Sequence, residues 1–184
     1  TLISGSTDAS AGYFNLGEGG GGVVAMAQEE GALYFFKKSI IYKATLTDLI
    51  YSIIPLKPFD EKSQTTGAVH KRSTFTGGNG VFFITPDNQI MYLARVEQVD
   101  YPQIIPISQM IKPSVDRMVF TSSTGIVFQD KAYFSVKASS DSTKNDTVLF
   151  YNIKERMWDT PIVGWNAFDW AVYNNGSTDD LYFG

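Results

Sequence analysis

A short aromatic triplet returns through this chain at a nearly constant interval. Leu33-Tyr34-Phe35 comes first, and Val81-Phe82-Phe83, Ala132-Tyr133-Phe134 and Leu181-Tyr182-Phe183 come after it. The copies begin at positions 33, 81, 132 and 181, which are steps of 48, 51 and 49 residues. Self-similarity at a fixed period near fifty residues marks a repeat architecture, in which each period is one supersecondary unit. A second apolar-aromatic run recurs behind the triplet. Ile40-Ile41-Tyr42 stands behind the first copy and Ile90-Met91-Tyr92 behind the second. Leu149-Phe150-Tyr151 stands behind the third, after the polar insert 139–146.

Within each period, apolar runs of strand length alternate with turn residues. The first period reads as strands at 23–28, 32–36 and 40–46, joined by the hairpin-length turns Glu29-Glu30-Gly31 and Lys37-Lys38-Ser39. Residues 49–54 read as a fourth, outer strand or a short helix, ended by Pro55 and Pro58. The second period reads as 69–76, 81–85 and 89–96, with turns at Gly77-Gly78-Asn79-Gly80 and Pro86-Asp87-Asn88. Pro102 and Pro106 confine 101–107 to an edge strand, and Pro113 is expected to cut off a single helical turn at 108–111. The third period reads as 125–129, 132–138, 147–153 and 158–163, with 117–121 as an added strand ahead of it. A fourth opens at Gly164, with strands 167–173 and 181–183 around the turn Asn174-Asn175-Gly176-Ser177. Residues 1–22 form a Gly/Ser-rich lead-in, and 59–67 read as a polar connection.

The expected fold is all-β: a β-propeller fragment of about three and a half four-stranded blades, at about 23–58, 69–112, 117–163 and a truncated 164–184. The physical ground is the apolar pattern. Leu33-Tyr34-Phe35-Phe36 and Val81-Phe82-Phe83-Ile84 are continuous runs, as a strand buried on both sides requires. A small meander with two apolar faces buries neither alone, and stacking one unit on the next buries both. The alternative is a β-sandwich, which predicts clean in/out alternation and no fifty-residue step. Because a propeller needs four to eight blades, these units are expected to belong to a longer chain.

Composition narrows the function classes. Apolar residues make up 43%, aromatics 14% and charges 18%, a balance that fits a folded, strand-rich chain. A net charge of −4, with no basic cluster beyond Lys37-Lys38 and Lys71-Arg72, argues against specific nucleic-acid binding. Cysteine is absent, so disulfides, thiolate nucleophiles and zinc–thiolate sites are excluded. No apolar run reaches bilayer length, and no secretory leader is visible in the segment that begins at Thr1.

No catalytic constellation stands out, and no cofactor or metal is expected. Gly17 to Gly22 fits G-x-G-x-x-G but lacks the following helix of a dinucleotide site, so it reads as a loop. His70 is the sole histidine, beside Lys71 and Arg72, and reads as a surface or strand-edge residue. With no cysteine and one histidine, copper–radical chemistry has no ligand set. Asp141-Ser142-Thr143-Lys144-Asn145-Asp146 alternates oxygen ligands but lacks the central Gly and distal acid of a calcium loop, and reads as a solvated hairpin tip. Asn145-Asp146-Thr147 and Asn175-Gly176-Ser177 are formal glycosylation sequons. Tyr151 and Trp158 have the spacing seen in kelch-type blades, which they resemble, and Trp158 reads as an anchor between sheets. Trp165 and Trp170 are the candidate contact residues, as aromatic platforms for a partner or a sugar.

Several segments together carry a wider resemblance. They are Ala32-Leu33-Tyr34-Phe35-Phe36 with Ser39-Ile40-Ile41-Tyr42, and Asn79 through Ile90. The others are Val148-Leu149-Phe150-Tyr151-Asn152 with Trp158, and Asp180-Leu181-Tyr182-Phe183-Gly184. Residues 20–184 resemble the propeller region of tail hub and nozzle proteins of tailed bacteriophages. The resemblance implies a structural virion component with no catalytic residues. Its partners would be copies of itself in a ring and other tail proteins, around a DNA channel whose wall stays non-sticky through like charge. A glycan- or receptor-binding propeller module is the alternative, and a glycoside-hydrolase-like propeller a further one.

Overall fold

A computed structural model describes residues 3–4, 16, 21–29, 31–47, 50–56, 67–96 and 99–184. The expected polar connection falls almost wholly on 57–66 and, with most of the lead-in, lies outside the described residues. Every pairing among the described strands is antiparallel, and no sheet closes into a barrel.

The first sheet holds β1 (Ile3–Ser4), β2 (Ala25–Glu29), β3 (Ala32–Phe36), β4 (Ile41–Thr47) and β5 (Ile50–Leu56), in spatial order β1-β5-β4-β3-β2. The segment read as outer strand or short helix is therefore strand from Ile50 onward. Pro55 lies inside β5, beyond the pairing of Ile3 and Ser4 with Tyr51 and Ile50, so its lost N–H takes no bond from a ladder.

The second sheet is a meander of β6 (Thr74–Thr76), β7 (Gly80–Ile84), β8 (Ile90–Val96) and β9 (Val99–Pro106). Its first strand is shorter than expected. Residues 71–73 form a 3-10 turn instead, because His70 Nδ1 accepts the Arg72 N–H, while the Ser73 hydroxyl accepts the His70 N–H and donates to the His70 carbonyl. After β9, a 3-10 turn (Ile107–Ile111) runs into α1 (Lys112–Val115). Pro113 does not stop this helix, contrary to the sequence expectation. It sits in the first turn, where a missing N–H costs nothing.

The third sheet contains β10 (Val119–Phe128), β11 (Lys131–Lys137), β12 (Thr147–Asn152), β13 (Met157–Trp158) and β14 (Ile162–Val163). The two strands expected at 117–121 and 125–129 are one strand with a bulge between Val119 and Thr124. The single outer strand expected at 158–163 is instead two short pieces, both paired to β12 and separated at Pro161. The last unit is a hairpin, β15 (Trp170–Asn174) and β16 (Asp179–Phe183).

The four triplets occupy equivalent places. Each lies on the strand of its sheet that pairs with the unit's first: β3, β7, β11 and β16. Each also has the same phase across its sheet. In the later three units the first and third residues face the preceding sheet and the middle one faces forward; in the first, Tyr34 faces the second sheet while Phe35 packs on the opposite face with Tyr42 and Ala44. Val81 and Phe83 join Tyr34, Phe36 and Ile41 in the core between sheets one and two. Phe82 faces the other way and joins Ala132, Phe134, Leu149 and Tyr151 in the core between sheets two and three. Phe36–Phe83 ring contacts at 5.1 Å and Phe75–Phe134 contacts at 5.1 Å cross the two interfaces. All of β7 is consequently buried, where a two-sheet sandwich would leave one face to water.

One close approach between sheets has a clear sequence cause. A Cβ on Gly125 would enter the ring of Phe75, so glycine lets β10 pass over that ring.

Candidate interaction surface

The last hairpin carries exposed aromatic side chains, among them Tyr173, Tyr182 and Phe183. Its reversal is built by side chains. Asn175 Oδ1 accepts the N–H groups of Ser177 and Thr178, Asn174 Oδ1 accepts that of Gly176, and Gly176 supplies φ +90°. The hairpin is tied to the third sheet at Ala167, whose carbonyl accepts the Ser135 hydroxyl at 2.6 Å and the Asn145 amide at 3.4 Å. Asn145 also donates to Ser122 O at 2.7 Å and accepts the Ser122 hydroxyl at 2.9 Å, and it is fully buried.

The inner face of the hairpin is aromatic. Trp170 lies 5.8 Å from Tyr133 and 5.7 Å from Phe183, while Trp165 stacks on Phe183 at 4.9 Å and meets the edge of Phe150 at 6.5 Å. The two candidate contact residues are thus brought together around Phe183. Both are half-buried, and one indole face of Trp165 is covered. The Trp170 indole N–H is buried and has no hydrogen-bond partner. Trp158 sits apart, between Phe134 and Tyr151, and donates to Ile107 O at 2.8 Å; it anchors sheet three to sheet two.

The outer face of the hairpin was not singled out by sequence. Tyr173 and Tyr182 approach at 6.5 Å and are 60% and 55% exposed. Phe183, Val172, Phe168 and Val163 add exposed apolar surface nearby. Residues 157–184 carry Asp159, Asp169, Asp179 and Asp180 and no Lys, Arg or His. The surface is therefore aromatic, with Asp169, Asp179 and Asp180 on it, while Asp159 is paired with Lys131 at 2.7 Å. The triplet itself predicts burial, so nothing in the pattern marks this face.

The loop 139–146 corrects the reading of a solvated tip. Asp141, Thr143 and Lys144 are exposed, but Asn145 and Asp146 turn inward. Burial works against the Asp146 carboxylate. Bonds from the Ser142 hydroxyl, the Ala138 N–H and the Thr147 hydroxyl outweigh it and hold the pKa below the ordinary value. Those bonds engage both carboxylate oxygens, and a buried Asn145 is closed to glycosylation in the folded chain. Asn175, in the other sequon, sits in an exposed turn.

His70 is structural in its contacts. It is half-buried, with Nε2 at 3.1 Å from Phe120 O and Nδ1 accepting the Arg72 N–H. Burial lowers its pKa, the bond to Phe120 opposes that, and the Arg72 charge adds to the lowering. Ser123 Oγ lies 3.4 Å from Nε2, but it is fully buried and donates to Phe120 O at 2.8 Å. Among the described residues no group of three or more acidic, histidine or cysteine side chains is placed to hold a metal ion, and no helix is long and apolar enough to cross a membrane.

No family model matches the chain, and a search of curated proteins finds no match.

Proposed function

We propose that this chain is a β-propeller module of a tailed-bacteriophage tail hub or nozzle. It is a structural virion part that works through protein–protein contacts at the tail and the DNA channel. The observation that carries the reading is the shared phase of the triplets. The second sheet spends one face on its predecessor and the other on its successor, an arrangement by which such units would extend a row and close a ring. The last hairpin offers Tyr173 and Tyr182 in the forward direction. The resemblance of the triplet segments to tail hub and nozzle propellers supplies the virion context. The net charge of −4 suits a wall past which DNA must slide. Partners are copies of the chain in a ring and neighbouring tail proteins.

Mass spectrometry of gradient-purified virions, with a cryo-EM reconstruction of the tail, tests the proposal. The chain is expected in particles, at the tail. Its presence in infected-cell lysate and absence from particles would end the reading.

A further inference from the structure

We propose that Asn175 is a self-modifying site, whose side-chain amide is lost to attack by the backbone nitrogen of Gly176. The bond formed is Gly176 N to Asn175 Cγ, and the bond broken is Asn175 Cγ to Nδ2. The Gly176 nitrogen gives its proton up to solvent. Nδ2 takes a proton from solvent and leaves as ammonia, and the chain is left with a cyclic imide. Water then opens the imide at either carbonyl, giving aspartate or isoaspartate at position 175. No oxidant or reductant takes part, and the chemistry uses only the bonds within 174–180.

The electrophile is the first ground. Asn175 Oδ1 accepts the Ser177 N–H at 2.9 Å and the Thr178 N–H at 2.9 Å. Two backbone donors on one carbonyl oxygen draw electrons from Cγ, and they stand where negative charge develops as Cγ becomes tetrahedral. The same bonds fold the side chain back along the Gly176 peptide, which holds the reacting groups close together.

The leaving group is the second ground. Nδ2 donates to Thr178 Oγ1 at 3.0 Å and to Asp180 Oδ2 at 3.2 Å. A hydroxyl can turn its proton toward the departing nitrogen, and a carboxylate attracts the positive charge which that nitrogen gains.

The nucleophile is the third. Asn174 Oδ1 accepts the Gly176 N–H at 2.7 Å, which polarises that bond, and Asn174 is itself tied to Asp179 at 2.7 Å. A Cβ at Gly176 would meet no atom within 4 Å, so the peptide has room to turn toward Cγ.

The same dipeptide occurs at Asn79-Gly80, where the surroundings differ. Asn79 is exposed, but Gly80 is buried at the start of β7. Its carbonyl accepts the Gly77 N–H at 3.0 Å, and a Cβ there would run into Leu93 O and the Tyr92 ring. Gly80 is therefore fixed between its neighbours, and its nitrogen is not free to swing. Sequence ranks the two sites equally; the structure favours Asn175. Either product puts a new carboxylate beside Asp180, which loses a donor and gains a like charge, so the turn loosens.

The test is to incubate the whole purified chain, folded, at neutral pH and to follow both sites by peptide-mapping mass spectrometry, with isoaspartate confirmed by enzymatic methylation. Acid is expected at 175 about tenfold faster than at 79, the effect of two neutral hydrogen bonds made on the reacting carbonyl. In urea the rate at 175 should fall and the two rates converge. Thr178→Val keeps the N–H to Oδ1 and removes the hydroxyl, and it should slow the reaction at 175 while leaving that at 79 unchanged. Equal rates in the folded chain, a faster reaction at 79, a rate at 175 that rises on unfolding, or one indifferent to Thr178→Val overturns the proposal.

Discussion

The same triplet has opposite fates in the second sheet and in the last hairpin. Val81-Phe82-Phe83 is fully buried, with Phe82 packed among Phe75, Tyr92, Phe134 and Tyr151. Leu181-Tyr182-Phe183 has the same register and the same phase, yet Tyr182 and Phe183 are 55% and 44% exposed. Local sequence sets where each side chain points. Whether that direction leads to a core depends on the sheet next door.

The largest expected effect tests this contrast directly. Phe82→Ala is expected to cost about 3–5 kcal/mol, read as a fall in the urea midpoint. Tyr182→Ala, at the equivalent position, is expected to change stability by about 0.5 kcal/mol or less. Equal costs would mean that the hairpin's forward face is covered and would break the comparison.

Asn145 joins the hairpin to the sheet behind it. Asn145→Ala leaves the Ser122 and Ala167 carbonyls without its amide inside the protein, at a cost of about 1–3 kcal/mol. Faster hydrogen exchange confined to β15 and β16 would show that the hairpin is held from this point; uniform loosening of all sheets would show that it is not.

Gly125→Ala sharpens the other side of the comparison. The added methyl enters the Phe75 ring, which is packed between Phe82 and Phe134, and the expected cost is about 1–3 kcal/mol. Gly176→Ala at the hairpin tip meets no atom and suffers only from its positive φ. Its expected cost is about 1 kcal/mol, again by denaturant titration.

The smallest effect is a pH dependence. His70 has a lowered pKa in the folded chain, so the unfolded chain binds its proton first on acidification. The stability that His70 contributes is whole above its unfolded pKa and is lost as pH falls through the lowered folded value. Denaturation midpoints measured on both sides of about pH 6.5 should fall on the acid side. His70→Asn, whose amide can still cap the 3-10 turn, should flatten that fall.

Much of this architecture was legible in the residues. The strand 32–36 matched β3 to the residue, and the proline-bearing edge at 101–107 became β9 within two residues. Period and apolar run are local signals, and strands express them directly. The departures have local causes of another kind. His70 and Ser73 satisfy a turn that shortens β6, and Pro113 fits a first helical turn instead of ending one.

The candidate site was less legible. In sequence Trp165 and Trp170 stand out as aromatic platforms for a partner or a sugar, and the structure gathers them around Phe183. The exposed tyrosines beside them have no signature in sequence, since Tyr182 is written in the same code as the buried Phe82.

By itself the sequence determined the period, the antiparallel strands and the apolar character of both faces. Each of these comes from the spacing of side chains along one stretch of backbone. Only the tertiary structure decided which faces find a neighbour, and which residues fasten one sheet to the next. Asn145 reaches Ala167 across 22 positions, His70 reaches Phe120 across 50, and Trp158 reaches Ile107 across 51. Burial and long-range hydrogen bonds are properties of two surfaces in contact, and a single strand's pattern specifies only one of them.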